Sequence, residues 1–188
     1  MLTRAEITLG VLAGGKATRI GGVDKALVEF RGQSLLDRLL ANLGAGFFET
    51  LLSYNRDPAP LDNRQVIIVP DRRHGSLGPL AGIESLLQRT RSRWLLTLPV
   101  DLREIPTDLA ERMLAEADDA RGVALVDADG LQPLVGLWPV VESLEDIRRA
   151  LDSGACAVHE AVCRLNMCRL DVSPIGLGNL NTPEALDQ

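Results

Sequence analysis

Leu12-Ala13-Gly14-Gly15-Lys16-Ala17-Thr18-Arg19-Ile20-Gly21-Gly22-Val23-Asp24-Lys25 sets four glycines and three cations directly behind an apolar run. Glycine has no Cβ to hold a phosphate off the main chain, so neighbouring glycines let successive N–H groups converge on an anion. Lys16, Arg19 and Lys25 add positive charge to such a concavity, where a charge-assisted hydrogen bond contributes roughly 1.5–3 kcal/mol. The spacing fits neither the Walker pattern, because Ala17 follows Gly15-Lys16, nor the dinucleotide fingerprint G-x-G-x-x-G. A lone glycine pair is explained by a flexible turn. Four glycines with interleaved cations behind a strand point instead to a loop that holds a nucleoside triphosphate.

Two aspartates follow apolar runs in the same way. Asp101 comes after Trp94-Leu95-Leu96-Thr97-Leu98-Pro99-Val100, and Asp71 after Val66-Ile67-Ile68-Val69. At the carboxyl end of a strand a carboxylate is placed to hold Mg²⁺, which keeps most of its waters and takes one or two carboxylates plus substrate phosphates. Each aspartate taken alone also reads as the start of a turn. Gly75-Ser76-Leu77-Gly78-Pro79-Leu80-Ala81-Gly82 leads into a helix whose free N–H groups favour a phosphate, although an ordinary loop-to-helix junction has the same pattern. In Asn179-Leu180-Asn181-Thr182-Pro183-Glu184, Thr182 caps a terminal helix with Pro183 at its first position. Capping leaves the two asparagines unexplained, and they are candidates to reach a ligand or metal.

These residues need elements to carry them. Apolar runs at 7–13, 50–53, 66–69, 94–98, 123–126 and 134–138 alternate with helical patterns marked by Leu35, Leu36, Leu39, Leu40 and Leu43, by Leu80, Ile83, Leu86 and Leu87, by Leu109, Met113 and Ala117, and by Leu144, Ile147 and Leu151. Ser34 is the expected cap of the first helix, with Asp37 in the capping-box position, and Pro79 opens the second. The alternation predicts an α/β fold of three layers with a doubly wound, mostly parallel sheet, and ligands at the carboxyl ends of its strands. Residues 57–60 read as a surface loop, and residues 1–188 as a single domain.

Composition narrows the partners. Aromatic residues make up 3% of the chain and its net charge is −6, so it has neither the stacking rings nor the basic face of a nucleic-acid binder. Cys156, Cys163 and Cys168 are odd in number and contain no CxxC, which suits a reduced cytoplasmic protein without a disulfide framework. Neither a signal-peptide stretch nor a membrane span is recognisable, so a soluble protein is expected. His74 and His159 lack metal-site spacing and read as surface or packing residues, Ser76 and Ser85 lack a nucleophile elbow, and Trp94 and Trp138 read as core.

Taken in order, Leu12-Ala13-Gly14-Gly15, Arg19, Gly21-Gly22-Val23-Asp24-Lys25, Gly78-Pro79-Leu80-Ala81-Gly82, Asp101, Gln132-Pro133-Leu134 and Asn181-Thr182-Pro183-Glu184 resemble the molybdenum cofactor guanylyltransferases over nearly the whole chain. The resemblance implies a monomeric, cytoplasmic, Rossmann-like nucleotidyltransferase that joins GMP from GTP to molybdopterin carrying molybdenum, releases pyrophosphate and uses Mg²⁺. It implies transient contacts with proteins of cofactor biosynthesis or with acceptor proteins. It further implies that Leu12, Ala13, Gly14 and Gly15 hold GTP, with backbone groups reading the guanine edge, and that Lys25 and Asp71 contact the nucleotide. Asp101 would be the Mg²⁺ ligand, Arg19 and Lys25 would offset phosphate charge beside it, and Arg19, Gly22, Gly78, Gly82 and Asn181 would bind molybdopterin.

The chain departs from that pattern twice. Ser53 stands in Ser53-Tyr54-Asn55-Arg56 where related sequences carry asparagine, leaving either Ser53 or Asn55 to make the nucleotide contact. Leu102-Arg103 replaces the usual Thr-Pro pair after Asp101, which would put Arg103 in the path of the substrate. Gly14 distinguishes the chain from the sister cytidylyltransferases, which tend to have Leu-Ala-Ala-Gly, and Gln132-Pro133-Leu134 agrees with a preference for guanine. A CTP-dependent molybdopterin cytidylyltransferase or related small nucleotidyltransferase, and a noncatalytic nucleotide-binding protein, are the alternative readings.

Overall fold

The computed structural model describes residues 2–14, 24–73, 77–118, 121–180 and 185. The expectations for Gly15, Lys16, Arg19, Gly22, His74, Ser76, Asn181, Thr182 and Pro183 lie outside the described residues.

Strand β1 (Ile7–Leu12) is buried along its whole length, as a strand covered on both faces must be. It pairs in parallel with β4 (Glu49–Ser53) on one side and β6 (Trp94–Pro99) on the other, and β4 pairs in parallel with β5 (Ile67–Val69). The sheet has seven strands in the order β5-β4-β1-β6-β8-β7-β9, where β7 is Val123–Asp127, β8 is Gly130–Pro139 and β9 is Cys168–Asp171. A separate hairpin of β2 (Glu29–Phe30) and β3 (Gln33–Ser34) leads into the first helix.

Helices cover both faces. Helix α1 (Leu35–Leu43) and α3 (Leu109–Glu116) pack in one core with Ile7, Leu9, Val11, Leu96 and Leu98. Helix α2 (Pro79–Arg89), α4 (Val140–Asp152) and α5 (Val158–Arg164) pack on the other with Leu51, Leu95 and Trp138. Alternate side chains of β6 supply both layers, which is the period-two geometry of a strand. Leu35, Leu36, Leu39 and Leu43 are all buried, and each contributes roughly 1.5–3 kcal/mol relative to exposure. The Ser34 hydroxyl accepts the Asp37 N–H at 3.1 Å, capping α1, while the Asp37 carboxylate accepts from the Ser34 hydroxyl at 2.6 Å and from Arg64. Pro79 opens α2 as expected.

Five strands and helices departed from the sequence pattern. β8 was expected as a short apolar run at 134–138, but it spans ten residues and runs antiparallel to both β6 and β7. Gln132 and Pro133 interrupt its apolar signal, and the pairing with β7 shifts register between Leu125, opposite Gln132, and Ala124, opposite Gly136. That irregularity is where a strand tolerates a proline without an N–H. β9 alternates between exposed and less exposed positions with Arg169 and Asp171 outward, a pattern suited to a charged sheet edge. α5 has only seven residues, and the β2–β3 strands only two each. Within the expected loop at 57–60, a 3₁₀ turn at Ala59–Leu61 buries Leu61. Trp94 and Trp138 are core, as expected, and the Trp138 indole N–H donates to the Thr97 hydroxyl at 2.8 Å.

Gly122 enters β7 so close to β8 that a Cβ there would lie 2.4 Å from the Leu137 carbonyl oxygen and 2.9 Å from Met167 Cε. The nearest obstacle is backbone and cannot rotate away. Gly122→Ala is therefore expected to destabilise the protein by about 2–3 kcal/mol, read as a lowered urea midpoint. An unchanged midpoint would mean that β7 and β8 can separate freely at this point.

Candidate active site

The ends of the four parallel strands are level. Leu12 is in register with Ser53 and with Pro99, and Ser53 with Val69. The ladder extends one step further, with Ala13 N–H donating to Ser53 O at 3.1 Å, Tyr54 N–H to Val69 O at 3.1 Å and Val100 N–H to Leu12 O at 3.0 Å. Chain segments leaving four strands therefore emerge along one edge of the sheet. They line a cavity of about 750 Å³, a volume suited to small-molecule substrates. Leu12, Ala13, Gly14, Lys25, Ser53, Asn55, Asp71, Gly78, Gly82 and Asp101 all face it. Among the described residues, every candidate named from the sequence is thus brought together. Gly15, Arg19, Gly22 and Asn181 lie outside the described residues.

Lys25 and Asp101 form the electrostatic centre. Lys25 Nζ donates to Asp101 Oδ2 at 2.6 Å, and both side chains are largely withdrawn from water. Local structure sets the lysine: the Asp24 carboxylate accepts the Ala26 N–H at 3.0 Å and caps the 3₁₀ turn Lys25–Leu27. The Tyr54 hydroxyl, at the exit of β4, donates to the other Asp24 oxygen. Burial, then the Asp24 carboxylate, push the Tyr54 pKa up to about 12, so the phenol remains a donor at neutral pH. Tyr54 is the only tyrosine in the chain, and its cavity-facing role had no sequence signal.

The Asp101 main chain is held from two directions. Its carbonyl accepts the Leu180 N–H at 2.7 Å, and Leu102 bridges to Asn179, which also lines the cavity. Arg38, stacked over Phe30 at 5.3 Å, donates to the Leu102 carbonyl at 2.7 Å and to the Arg103 carbonyl. Leu102 is core, and Arg103 is not among the cavity-lining residues. The unusual Leu102-Arg103 pair is thus absorbed by packing behind Asp101 rather than by the cavity.

Asp71 and Asn55 hold each other reciprocally. The Asn55 amide nitrogen donates to Asp71 Oδ2 at 2.9 Å, and the Asp71 N–H donates to Asn55 Oδ1 at 2.7 Å. Ser53 Oγ is a weaker partner of Asp71 at 3.4 Å. Of Ser53 and Asn55, Asn55 is the one bound more closely to Asp71. Behind Asp71, the Arg72 N–H donates to Ser85 Oγ, and Arg73 forms a two-pronged bond to buried Glu84 at 2.8 and 3.0 Å. These bonds pin the segment after β5 to α2. Ser85 accordingly has a structural role.

Some expectations are refined. The Ala13 N–H is engaged by Ser53 O, so it is not a free donor for a base edge. Gly82, expected on the molybdopterin side, lies beside Ser53 and Asp71: an added Cβ would stand 2.8 Å from Ser53 Oγ and 3.6 Å from Asp71 Oδ1. His159 is exposed, and Cys156, Cys163 and Cys168 are free thiols. Among the described residues no group of three His, Cys, Asp or Glu side chains surrounds a metal-sized space. No helix among them is long and apolar enough to cross a membrane.

Gly82→Ala should drive the Ser53 hydroxyl off Asp71 and weaken nucleotide binding by roughly three- to tenfold, measured by titration calorimetry. Because Ser53→Ala removes the same hydroxyl, it should weaken binding by a similar factor, and the double variant Gly82→Ala/Ser53→Ala should be little weaker than either single change. Additive losses in the double variant would place the obstruction elsewhere.

Residues 9–165 match the family described as MobA-like NTP transferase domain. The molybdenum cofactor guanylyltransferase of Shewanella sediminis is 33% identical over 187 residues, covering 97% of this chain and 95% of that relative. The crystal structure of molybdopterin-guanine dinucleotide biosynthesis protein A from Archaeoglobus fulgidus superposes with a TM-score of 0.76 at 23% identity, covering 96% of this chain and 95% of that one. The 2-C-methyl-D-erythritol 4-phosphate cytidylyltransferase of Thermus thermophilus has the same fold, with a TM-score of 0.71 at 15% identity over 95% of this chain and 94% of its own. With these strand ends and this lysine–aspartate pair, the chain belongs to the molybdenum cofactor guanylyltransferases, a family of nucleotidyltransferases.

Proposed function

We infer that the chain transfers GMP from GTP to molybdopterin carrying molybdenum, forming the guanine dinucleotide cofactor and releasing pyrophosphate. The observation that carries this reading is the convergence of Gly14, Asn55, Asp71 and the Lys25–Asp101 pair on one cavity, in a chain similar to named guanylyltransferases over almost its full length. An oxygen of the molybdopterin phosphate attacks the α-phosphorus, and the bond to the pyrophosphate oxygen breaks. The attacking group is already ionised near neutral pH, so no general base is required. Two anions must instead be brought together, which makes positioning and charge neutralisation the main contributions of the protein.

Nucleotidyltransferases of this kind generally use a divalent metal, and we assign Mg²⁺ to Asp101. A carboxylate at the strand end, in a cavity lining that among the described residues contains no histidine or cysteine, fits an ion that draws its remaining ligands from water and phosphate oxygens. When bound, Mg²⁺ supplies Lewis-acid polarisation of the phosphate. Lys25 is placed to transfer its ammonium from Asp101 to the phosphates, where it offsets charge in ground and transition state. Arg19 adds to this by resemblance. We place the guanine against Gly14, Ser53, Asn55 and Asp71, and Gly15 beside the phosphates. Gly22, Gly78 and Asn181 remain on the molybdopterin side, and the protein acts as one cytoplasmic domain and as a monomer.

Purified protein incubated with molybdopterin, Mg²⁺ and either GTP or CTP should give the guanine dinucleotide and pyrophosphate. Turnover with CTP equal to or better than with GTP would overturn the guanine assignment. Asp101→Asn should lower kcat by about 10²-fold or more with the circular dichroism spectrum unchanged, since a preorganised electrostatic contact to the reacting phosphate is lost. Lys25→Ala should raise KM for GTP and lower kcat together, whereas a change confined to thermal stability would make the lysine structural.

A further inference from the structure

Asp127 has no part in the chemistry described above, and Gln132 entered only through a sequence block that agrees with a preference for guanine, yet the two are joined in one buried hydrogen-bonded unit. Asp127 ends β7 and is 2% exposed. Its Oδ2 accepts the Leu177 N–H at 2.9 Å, and its Oδ1 accepts both the Asp129 N–H and the Gln132 side-chain nitrogen at 2.9 Å. Burial pushes this carboxyl up, but the N–H of Leu177, the Gln132 amide and the N–H groups of Asp129 and Gly130 outweigh burial and hold it below the ordinary aspartate range. It is ionised at neutral pH and therefore only accepts.

That fixes the orientation of the glutamine. A carboxylate can receive the NH₂ end of an amide but not its oxygen, so a flipped Gln132 would set oxygen against oxygen. The donor end is committed to Asp127. The carbonyl Oε1 is the end left for the cavity that Gln132 lines.

Gln132 also stands apart from the nucleotide-side residues. It lies on β8, while Ser53 ends β4 and Asp71 follows β5. The sheet order puts β1 and β6 between β4 and β8, so at about 4.8 Å per strand the two sides are roughly 14 Å apart. Asp101, leaving β6, lies between them. A base held near Ser53 and Asp71 with its phosphates at Asp101 leaves Gln132 on the side from which the second substrate must approach. Pro133 and Leu134 line the cavity next to it and offer apolar surface to a flat ring.

We propose that Gln132 determines acceptor specificity by accepting, at Oε1, a hydrogen bond from an N–H group on the fused heterocycle of the acceptor, with Asp127 as the positioning residue that fixes the amide. The proposal rests on the guanylyl-transfer reading, in which that heterocycle is the pterin of molybdopterin.

Gln132→Met keeps the length of the side chain and removes both polar ends. It should raise KM for molybdopterin about three- to tenfold while changing KM for GTP less than twofold. Asp127→Asn, which relaxes the constraint on the amide, should move KM for molybdopterin in the same direction by a smaller factor. Fluorescence titration of molybdopterin onto each protein without nucleotide should show the same weakening in Kd. Unchanged KM and Kd for molybdopterin in Gln132→Met, or an equal rise in both KM values, would overturn the proposal and leave Gln132 a brace for the β7–β8 turn. Wild-type protein that binds molybdopterin but yields no dinucleotide would overturn the transfer reading, and the titration would still decide the glutamine. Wild-type protein that does not bind molybdopterin would overturn both.

Discussion

Register among the parallel strands governs the rest of this molecule. Because Leu12, Ser53, Val69 and Pro99 end together, the next few residues of each chain segment share a single edge, and no long loop is needed to gather them. A slip of one residue in any pair would turn its side chains to the opposite face and carry its functional group away with them. The apolar side chains buried on both faces hold that register. The core therefore sets the positions of polar groups that contribute nothing to it.

Polar and charged groups are then arranged along this edge in pairs that hold each other. Lys25 neutralises Asp101, Asn55 steadies Asp71, and Tyr54 steadies Asp24 beneath the lysine. Each pair joins segments from different strands or from a strand and a following turn. The supporting contacts are less conspicuous but equally specific: Arg38 fixes the main chain behind Asp101, and Arg73 with Glu84 fixes the segment behind Asp71. Such outer contacts keep a ligand-facing side chain in place when its immediate partner is exchanged for substrate.

The sequence made one wall of the cavity readable because that wall is built from parallel strands. Continuous apolar runs ending in Gly14, Ser53, Asp71 and Asp101 announce both the strand and the cavity-lining residue behind it. The opposite wall followed other rules. β8 hides behind Gln132 and Pro133, β9 has the alternating polarity of an edge, and α5 is too short to show a period. Tyr54 and Arg38 act through contacts distant in sequence, and no local spacing marks them. Gly82 shows the same limit: its motif was legible, but the side of the cavity it serves depends on how α2 packs over β4 and β5.

The reversal of β8 makes the two walls of the cavity mechanically unlike. Parallel strands deliver their ligand-facing groups from connections that leave the sheet, whereas β8 delivers Gln132, Pro133 and Leu134 from within a strand, where Gln132 is paired with Leu125 of β7 and the Leu134 carbonyl accepts from the Thr97 hydroxyl of β6. Backbone already fixed in a sheet loses little further conformational freedom when a ligand settles on it. A ligand that settles on this wall meets a surface whose shape is decided at folding, and selection against a misfitting one falls on stiffness rather than on any rearrangement that binding would have to drive.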